Sequence, residues 1–228
     1  MKNQIKTIAF DADDTLWENE QYFRQAELEF ALLFAHLAQD DVIKDLFDIE
    51  MKNLKMYGYG VKGFMLCMVE TAAKLSIDKV NSHLINQIFD IGHRLLQKPI
   101  VLLEGIEETL QHLHGKYRLV MATKGDLLDQ ERKLEKSGLA KYFHHIEIMS
   151  DKQPRHYQKL INHLDCKPEH FLMVGNSRRS DIVPVLAIND FAIEVPYHTT
   201  WIHELHEEPI DHPNFVSVTS IDQIIPLL

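Results

Sequence analysis

Carboxylates are concentrated at one point near the start of the chain. An apolar run at residues 8–10 leads directly into Asp11, Asp13 and Asp14. Side chains alternate along a β-strand, so Asp11 and Asp13 should leave the end of such a strand on the same side. Neighbouring carboxylates repel one another unless a cation or a proton lies among them. The pattern is typical of a metal site or of acid–base chemistry.

Other chemically capable side chains follow apolar segments later in the chain. They supply a hydroxyl, two ammonium groups, an amide and a further carboxylate, and they are Thr123, Lys124, Lys152, Asn176 and Asp181. If the apolar segments are parallel strands, these residues lie at one edge of a sheet, beyond the carboxyl ends where ligands bind in such folds. The order of the residues therefore predicts one site built from several strand ends.

Strands and helices alternate over most of the sequence. Buried strands are predicted at 5–10, 118–122, 145–149, 171–174, 191–195 and 215–218. Helices are predicted between them, near 105–114, 127–137, 154–164 and 180–188. This alternation predicts an α/β fold whose core is a Rossmann-like parallel sheet covered on both faces.

Residues 17–99 follow a different pattern. Phe23, Ala26, Phe30, Leu33 and Leu37 recur at spacings of three and four, which places them on one helical face. Similar spacings further on predict four helices in a small bundle. We therefore expect a core domain formed by residues 1–16 and 100–228, with a helical domain inserted at 17–99.

Composition narrows the classes of function. The net charge of −10 disfavours nucleic-acid binding, which depends on clustered Lys and Arg. No apolar run is long enough for a membrane span or a leader sequence. The two widely separated cysteines, Cys67 and Cys166, indicate reduced thiols and a cytoplasmic location. We expect a monomer or a weak homodimer that binds neither nucleic acid nor membrane.

The ordered motifs resemble those of the haloacid dehalogenase superfamily, most of whose members are phosphatases. The first motif of that family, Asp-x-Asp-x-Thr, is similar to residues 11–15, and the second and third are similar to Thr123 and Lys152. The fourth is similar to the segment from Gly175 to Asp181. The helical insertion resembles the four-helix cap of one subfamily, which closes over the site and selects the substrate.

The resemblance implies a role for each matching residue. Asp11 would be the nucleophile and Asp13 the general acid and base. Thr123 and Lys152 would complete the catalytic set by contacting the phosphoryl group. Substrate-binding residues would be Thr123, Lys124, Lys152 and Asn176. A magnesium ion would be held by Asp11, Asp13, Asn176 and Asp181.

Two residues depart from the family pattern. Asn176 stands where most family phosphatases carry an aspartate, so we expect magnesium binding to be weakened and not abolished. Asp14 stands where glycine is usual, and the sequence offers no account of it.

The resemblance implies a magnesium-dependent phosphatase that hydrolyses a small phosphorylated metabolite through an aspartyl phosphate. Asn176 keeps two alternatives open: a metal-independent 2-haloacid dehalogenase, or a binding protein with weakened catalysis. Asp13 argues against the dehalogenase, because a departing halide needs no proton whereas a departing alkoxide does.

Overall fold

The computed structural model describes residues 4–76, 81–206 and 208–228. Residues 1–3, which belong to the predicted core domain, lie outside the described part of the chain, as do residues 77–80 of the predicted helical domain.

In the described part of the chain, six parallel strands form one sheet. They are β1 (Thr7–Phe10), β2 (Arg118–Lys124), β3 (His145–Met149), β4 (Phe171–Gly175), β5 (Phe191–Glu194) and β6 (Phe215–Ser217). Their order in the sheet is β3-β2-β1-β4-β5-β6, and every neighbouring pair is parallel. The predicted α/β fold with a Rossmann-like parallel sheet is confirmed.

The central strands are buried on both faces. Along β1, Ile8 and Phe10 belong to one hydrophobic cluster, whereas Ala9 between them belongs to another. Strand β2 repeats the alternation, with Leu119 in the first cluster and Val120 in the second. This period of two explains why the strands are continuous apolar runs in the sequence, as expected for a sheet with helices on both sides.

Helices connect the strands as the alternation predicts. They are α5 (Ile106–Leu113), α6 (Leu127–Ser137), α7 (Pro154–His163) and the short α8 (Val183–Leu186). The single helix predicted at 180–188 is wrong in detail, because a π-helical turn, Arg178–Ile182, precedes α8. The Ser177 side chain accepts a hydrogen bond from the Ser180 amide, which caps the start of this turn.

Between β1 and α5 the described residues form four helices. They are α1 (Glu20–Leu32), α2 (Gln39–Tyr57), α3 (Val61–Leu75) and α4 (Ser82–Leu96). The periodicity that extended to Leu37 overestimates α1. Beyond Leu32 the amides of Phe34 and Leu37 bond three residues back, in tight turns that still pack Leu37 against the helical core.

The chain divides into two compact units. One contains Met1–Glu20, Ile100–Lys124 and Gln130–Leu228, and the other contains Gln21–Pro99 and Gly125–Asp129. These bounds differ from the predicted domain limits at two places. Trp17 belongs to the sheet unit, because its fully buried indole bonds to Asp13 and its backbone bridges to Leu102. Asp126 belongs to the helical unit, where it forms an ion pair with Lys62.

The described helices include none with the length and apolar character that crossing a membrane requires. Both cysteines, Cys67 and Cys166, are free thiols.

Asp190 is a buried carboxyl group at the edge of the sheet opposite to the strand ends that carry the motifs. It directly precedes β5 and is fully buried, and neither carboxyl oxygen has a hydrogen-bond partner among the described residues. Burial, followed by the charge of Glu169, raises the pKa of Asp190 from 3.8 to about 7. Because the pKa is raised, the contribution of Asp190 to stability is complete below about pH 4 and is lost as the pH rises through 7.

We predict that Asp190→Asn stabilises the protein at pH 8, where the parent must bury an ionised carboxylate. The expected gain in the free energy of unfolding is on the order of 1–3 kcal/mol at pH 8, and it shrinks or reverses at pH 4. Urea unfolding at both pH values measures it, with the exposed Asp211→Asn as the matched control. A gain that is the same at both pH values would refute the ionisation of Asp190 as its cause.

Candidate active site

The carboxyl ends of the four strands at the centre and one side of the sheet carry the candidate site. Phe10, the last residue of β1, is in register with Met121 of β2 and Val174 of β4. Asp11 follows at the crevice between β1 and β4, and its amide donates to the Val174 carbonyl at 2.9 Å. The strand order reverses direction at this position, which is where ligands bind in open α/β sheets.

Lys152 joins two carboxylates that are far apart in the sequence. It follows β3, its side chain is almost completely buried, and its Nζ lies 2.5 Å from Asp11 Oδ1 and 2.6 Å from Asp181 Oδ1. Each of the three residues extends from a different strand end. The structure thus brings together three of the residues that the sequence analysis placed in one site.

The charges of this group do not balance. Burial and the neighbouring Asp181 raise the pKa of Asp11 to about 7, against the opposing effect of Lys152. Burial opposes the charged form of Lys152, but the carboxylates of Asp11 and Asp181 outweigh it and hold the pKa of this ammonium above its usual range. Two buried carboxylates share one ammonium, so the site favours the arrival of a further cation.

Asp181 is fixed by the π-helical turn. Its Oδ2 accepts from the Ser177 amide at 3.0 Å, and the Tyr157 hydroxyl lies 3.5 Å from Oδ1. Gly175 makes room for this carboxylate, because a Cβ atom at that position would lie 2.3 Å from Asp181 Oδ2. The glycine of the fourth motif is therefore explained by the close approach of a side chain and not by its backbone angles.

Asp13 is held by a separate group of donors. Its carboxylate accepts from Trp17 Nε1 at 2.7 Å and from Gln130 Nε2 at 2.8 Å, and Lys133 Nζ lies 2.9 Å from Oδ1. Lys133 also donates to Asn19 Oδ1 at 2.7 Å. These contacts fix the direction of the Asp13 carboxylate, although the Asp11–Lys152–Asp181 group does not include it.

The structure gives Asp14 a role that the sequence left open. Its φ of 61° is in the left-handed region, which explains why glycine is usual at this position. The carboxylate accepts from the amides of Asn19 at 2.8 Å and Glu20 at 3.0 Å, which caps the start of α1. Asp14 thus stabilises the turn that carries Asp11 and Asp13.

Asn176 pairs with the threonine of the first motif. Its backbone N–H donates to Thr15 Oγ1 at 3.1 Å, and its side-chain Oδ1 accepts from the same hydroxyl at 3.1 Å. Thr123 is buried at the end of β2, where its hydroxyl donates to the Lys124 carbonyl at 3.2 Å. Asn176 and Thr123 thus both lie at the edge of the sheet where the strands have their carboxyl ends.

Lys124, predicted to bind substrate, has partners within the protein. Its Nζ lies 2.8 Å from Ser180 Oγ and also forms an ion pair with Glu204. Because these contacts direct the ammonium toward the loop after β5, the structure gives no support to a substrate-binding role for Lys124, which stays a prediction.

Sequence reasoning missed several residues that organise the site. Gln130 and Lys133 had a usable signal, since their spacing of three places them on one face of the helix that follows the second motif. Glu204 had no usable signal in the sequence, because it lies in an irregular connection after β5 that has no hydrophobic periodicity.

The oxygen donors of the site suit a hard divalent cation. Within the described residues no group of three His, Cys, Asp or Glu side chains forms a metal centre. An ion here would therefore draw on amide or backbone oxygens in addition to the Asp11 and Asp181 carboxylates. Magnesium accepts such a shell, because it uses few carboxylates and retains waters.

Comparisons with known proteins agree on one family. A family model described as haloacid dehalogenase-like hydrolase matches residues 5–184. A solved structure of a haloacid dehalogenase-like family hydrolase from Xanthomonas campestris is 37% identical, with a TM-score of 0.85, and the match covers 96% of this chain and 88% of that one.

Two more distant relatives differ in their described activities. Glyceraldehyde 3-phosphate phosphatase from Methanothermobacter thermautotrophicus is 26% identical, with 98% of each chain covered. A 2-haloacid dehalogenase from Pseudomonas syringae has a TM-score of 0.67 at 16% identity, covering 98% of this chain and 97% of that chain. The likeness to the dehalogenase extends to the fold alone.

We predict that Gly175→Ala disrupts the site, because the added methyl group would displace the Asp181 carboxylate from Lys152. The distance of 2.3 Å is far below any normal contact, so we expect a loss of stability of roughly 1–3 kcal/mol. Denaturant unfolding measures this loss, and a crystal structure of the variant shows the position of Asp181.

Gly115→Ala is the control for that substitution. Gly115 has a φ of 79° with no described atom within 4 Å of an added Cβ, so alanine brings only backbone strain of about 1 kcal/mol. An Asp181 carboxylate that stays on Lys152 in Gly175→Ala would contradict the proposed steric conflict.

Proposed function

Because the chain belongs to the haloacid dehalogenase-like hydrolases, we propose that it is a phosphatase that hydrolyses a small phosphorylated metabolite. The proposal extends to the mechanism, in which Asp11 becomes transiently phosphorylated. The observation that carries it is the contact of one buried ammonium, Lys152, with both Asp11 at 2.5 Å and Asp181 at 2.6 Å.

Asp11 is the proposed nucleophile. An oxygen of its carboxylate forms a bond to phosphorus while the bond from phosphorus to the leaving oxygen breaks. Lys152 supports this step by placing a fixed positive charge beside the attacking carboxylate and the accumulating negative charge. The near-complete burial of Lys152 strengthens this effect, since charges interact more strongly away from water.

Asp13 is the proposed general acid and base. It delivers a proton to the leaving alcohol and later takes one from the water that attacks the aspartyl phosphate. The donors from Trp17, Gln130 and Lys133 support this assignment, because they hold the carboxylate in one direction. An acid at this position favours ester hydrolysis, since displacement of a halide requires no proton.

Magnesium is the proposed cofactor. Asp11 and Asp181 would hold it through carboxylate oxygens, Asn176 through its amide oxygen and Asp13 through its backbone carbonyl. When bound, the ion would supply positive charge to the phosphoryl oxygens. The Thr123 hydroxyl, at the end of β2, would turn from the Lys124 carbonyl to donate to one of those oxygens.

The printed activity of the Methanothermobacter relative supports a small phosphorylated substrate. At 26% identity it does not define which ester this chain hydrolyses, and a panel of phosphorylated metabolites is therefore the appropriate assay. We further propose a cytoplasmic location, which the free thiols of Cys67 and Cys166 support. We also propose that the protein is a monomer or a weak homodimer.

We predict that the protein releases phosphate from at least one member of such a panel in a magnesium-dependent manner. Asp11→Asn should lower the rate by roughly 10³-fold or more, because the amide is not a nucleophile. Mass spectrometry of the acid-quenched parent should find phosphate on the peptide that contains Asp11.

The exposed Asp165→Asn is the control, because Asp165 has a φ of 47° that asparagine tolerates. Phosphate release that survives in Asp11→Asn would exclude Asp11 as the nucleophile. Halide release from a short 2-haloacid, unaffected by a chelator and without any phosphatase activity, would establish the dehalogenase alternative instead.

We also predict that Asn176→Asp lowers the magnesium concentration needed for half-maximal phosphatase activity, by roughly tenfold. The reason is the added carboxylate beside a divalent cation, whose attraction is partly cancelled by desolvation. Titration of activity with magnesium measures the change, and Asn162→Asp, on the exposed surface of α7, is the matched control. An unchanged or higher half-maximal concentration in Asn176→Asp would mean that this residue does not face the cation.

A further inference from the structure

Glu204 links two parts of the candidate site that are distant in sequence. It lies in a single 3₁₀ turn, Ile202–Glu204, within the connection between β5 and β6. Its carboxylate forms an ion pair with Lys124 and accepts hydrogen bonds from the hydroxyls of Ser177 and Ser180, the latter at 2.6 Å. Three donors from two strand ends thus converge on one carboxylate.

Glu204, Lys124, Ser177 and Ser180 form a cluster that is largely shielded from water, and the Glu204 carboxylate has hydrogen-bond partners within it. The side chains of Lys124 and Glu204 are only 13% and 12% exposed. Burial favours the neutral acid, yet Lys124 and the two serine hydroxyls overcome it and lower the pKa of Glu204 to about 2. Lys124 completes the ring of contacts by donating to Ser180 at 2.8 Å. Hydrogen-bonded ion pairs with this degree of burial hold their partners in fixed positions.

The residues that Glu204 holds adjoin the catalytic candidates. Lys124 directly follows Thr123, and the Thr123 hydroxyl donates to the Lys124 backbone carbonyl at 3.2 Å. Ser177 directly follows Asn176, and its amide holds the Asp181 carboxylate at 3.0 Å. Ser180 directly precedes Asp181. Glu204 therefore fastens the end of β2 and the π-helical turn after β4 to each other.

A second contact attaches the Glu204 turn to the same place. Arg179, within the π-helical turn, donates to the backbone carbonyl of His203 at 2.8 Å. The connection after β5 thus meets the fourth-motif segment through both a side chain and a backbone group. Among the described residues of this connection, the Glu204 carboxylate extends the attachment to β2 through Lys124.

We propose that Glu204 is a positioning residue for phosphoryl transfer, which aligns Thr123 with Asp181 by joining Lys124 to Ser177 and Ser180. This inference rests on the proposed phosphatase function for its catalytic consequence. The alignment itself is a property of the fold and can be measured without substrate. It also assigns Lys124 a structural task in place of direct substrate binding.

The kinetic test compares Glu204→Gln with the exposed Glu208→Gln. Glutamine keeps the size of the side chain but removes its charge, so Glu204→Gln should lower kcat by about 10- to 100-fold and raise the half-maximal magnesium concentration, with little change in KM. Glu208→Gln should match the parent. A kcat and a magnesium requirement that are unchanged in Glu204→Gln would overturn the proposal.

Combining substitutions tests whether the contacts act as one unit. Lys124→Met and Glu204→Gln each break the same ion pair, so the double variant should lose much less than the product of the two single losses. Losses that multiply would show independent roles and overturn the link. Ser180→Ala is a smaller change that should also lower kcat and raise the half-maximal magnesium concentration. It provides the test if Glu204→Gln fails to fold.

Hydrogen exchange separates this inference from the proposed function. In Glu204→Gln the amides of residues 122–126 and 176–182 should both lose protection, whereas Glu208→Gln should leave both segments unchanged. If the parent hydrolyses no phosphate ester but both segments lose protection together, the proposed function fails and the link stands. If protection changes in neither segment, or in one alone, the link is refuted even in an active phosphatase.

Discussion

A single buried ammonium is the constraint on which the candidate site depends. Lys152 lies between the Asp11 and Asp181 carboxylates, and its ammonium opposes the rise in the pKa of Asp11 that burial and the charge of Asp181 cause. Two carboxylates share this one ammonium, so the site combines a fixed cation with a preference for a second one. That combination suits the binding of a magnesium ion together with a phosphate ester, whose transfer requires positive charge on several sides.

The sheet makes this arrangement possible and the surrounding contacts make it rigid. Strands β1, β3 and β4 end at one edge and deliver Asp11, Lys152 and Asp181 respectively. Different local devices then fix each part: the Asp14 carboxylate caps the segment after Asp11, and Gly175 admits the Asp181 side chain. The first device is a polar contact and the second is the space left by a missing side chain, and both restrict the directions of the functional groups.

The strands and the set of motif residues could be predicted from the sequence, because they depend on hydrophobic periodicity and on the order of residues along the chain. Apolar runs predicted the six strands that the structure describes, and the rule that ligands bind beyond the strand ends predicted one site for the motif residues. Prediction failed where side chains override periodicity. A π-helical turn precedes the helix expected at 180–188, and side chains cap its start: Ser177 Oγ accepts from the Ser180 amide, and Asp181 Oδ2 accepts from the Ser177 amide. Glu204 was missed because its contacts depend on the path of an irregular loop, which sequence patterns do not specify.

The most direct test of convergence on one phosphoryl group is a crystal structure of the protein with magnesium and orthovanadate, which mimics a five-coordinate phosphorus. Our account predicts vanadium in line with an Asp11 carboxylate oxygen, with Lys152 and Thr123 on the equatorial oxygens and Asp181 on the side of the metal. Vanadate bound elsewhere, or vanadium approached by a residue other than Asp11, would contradict it.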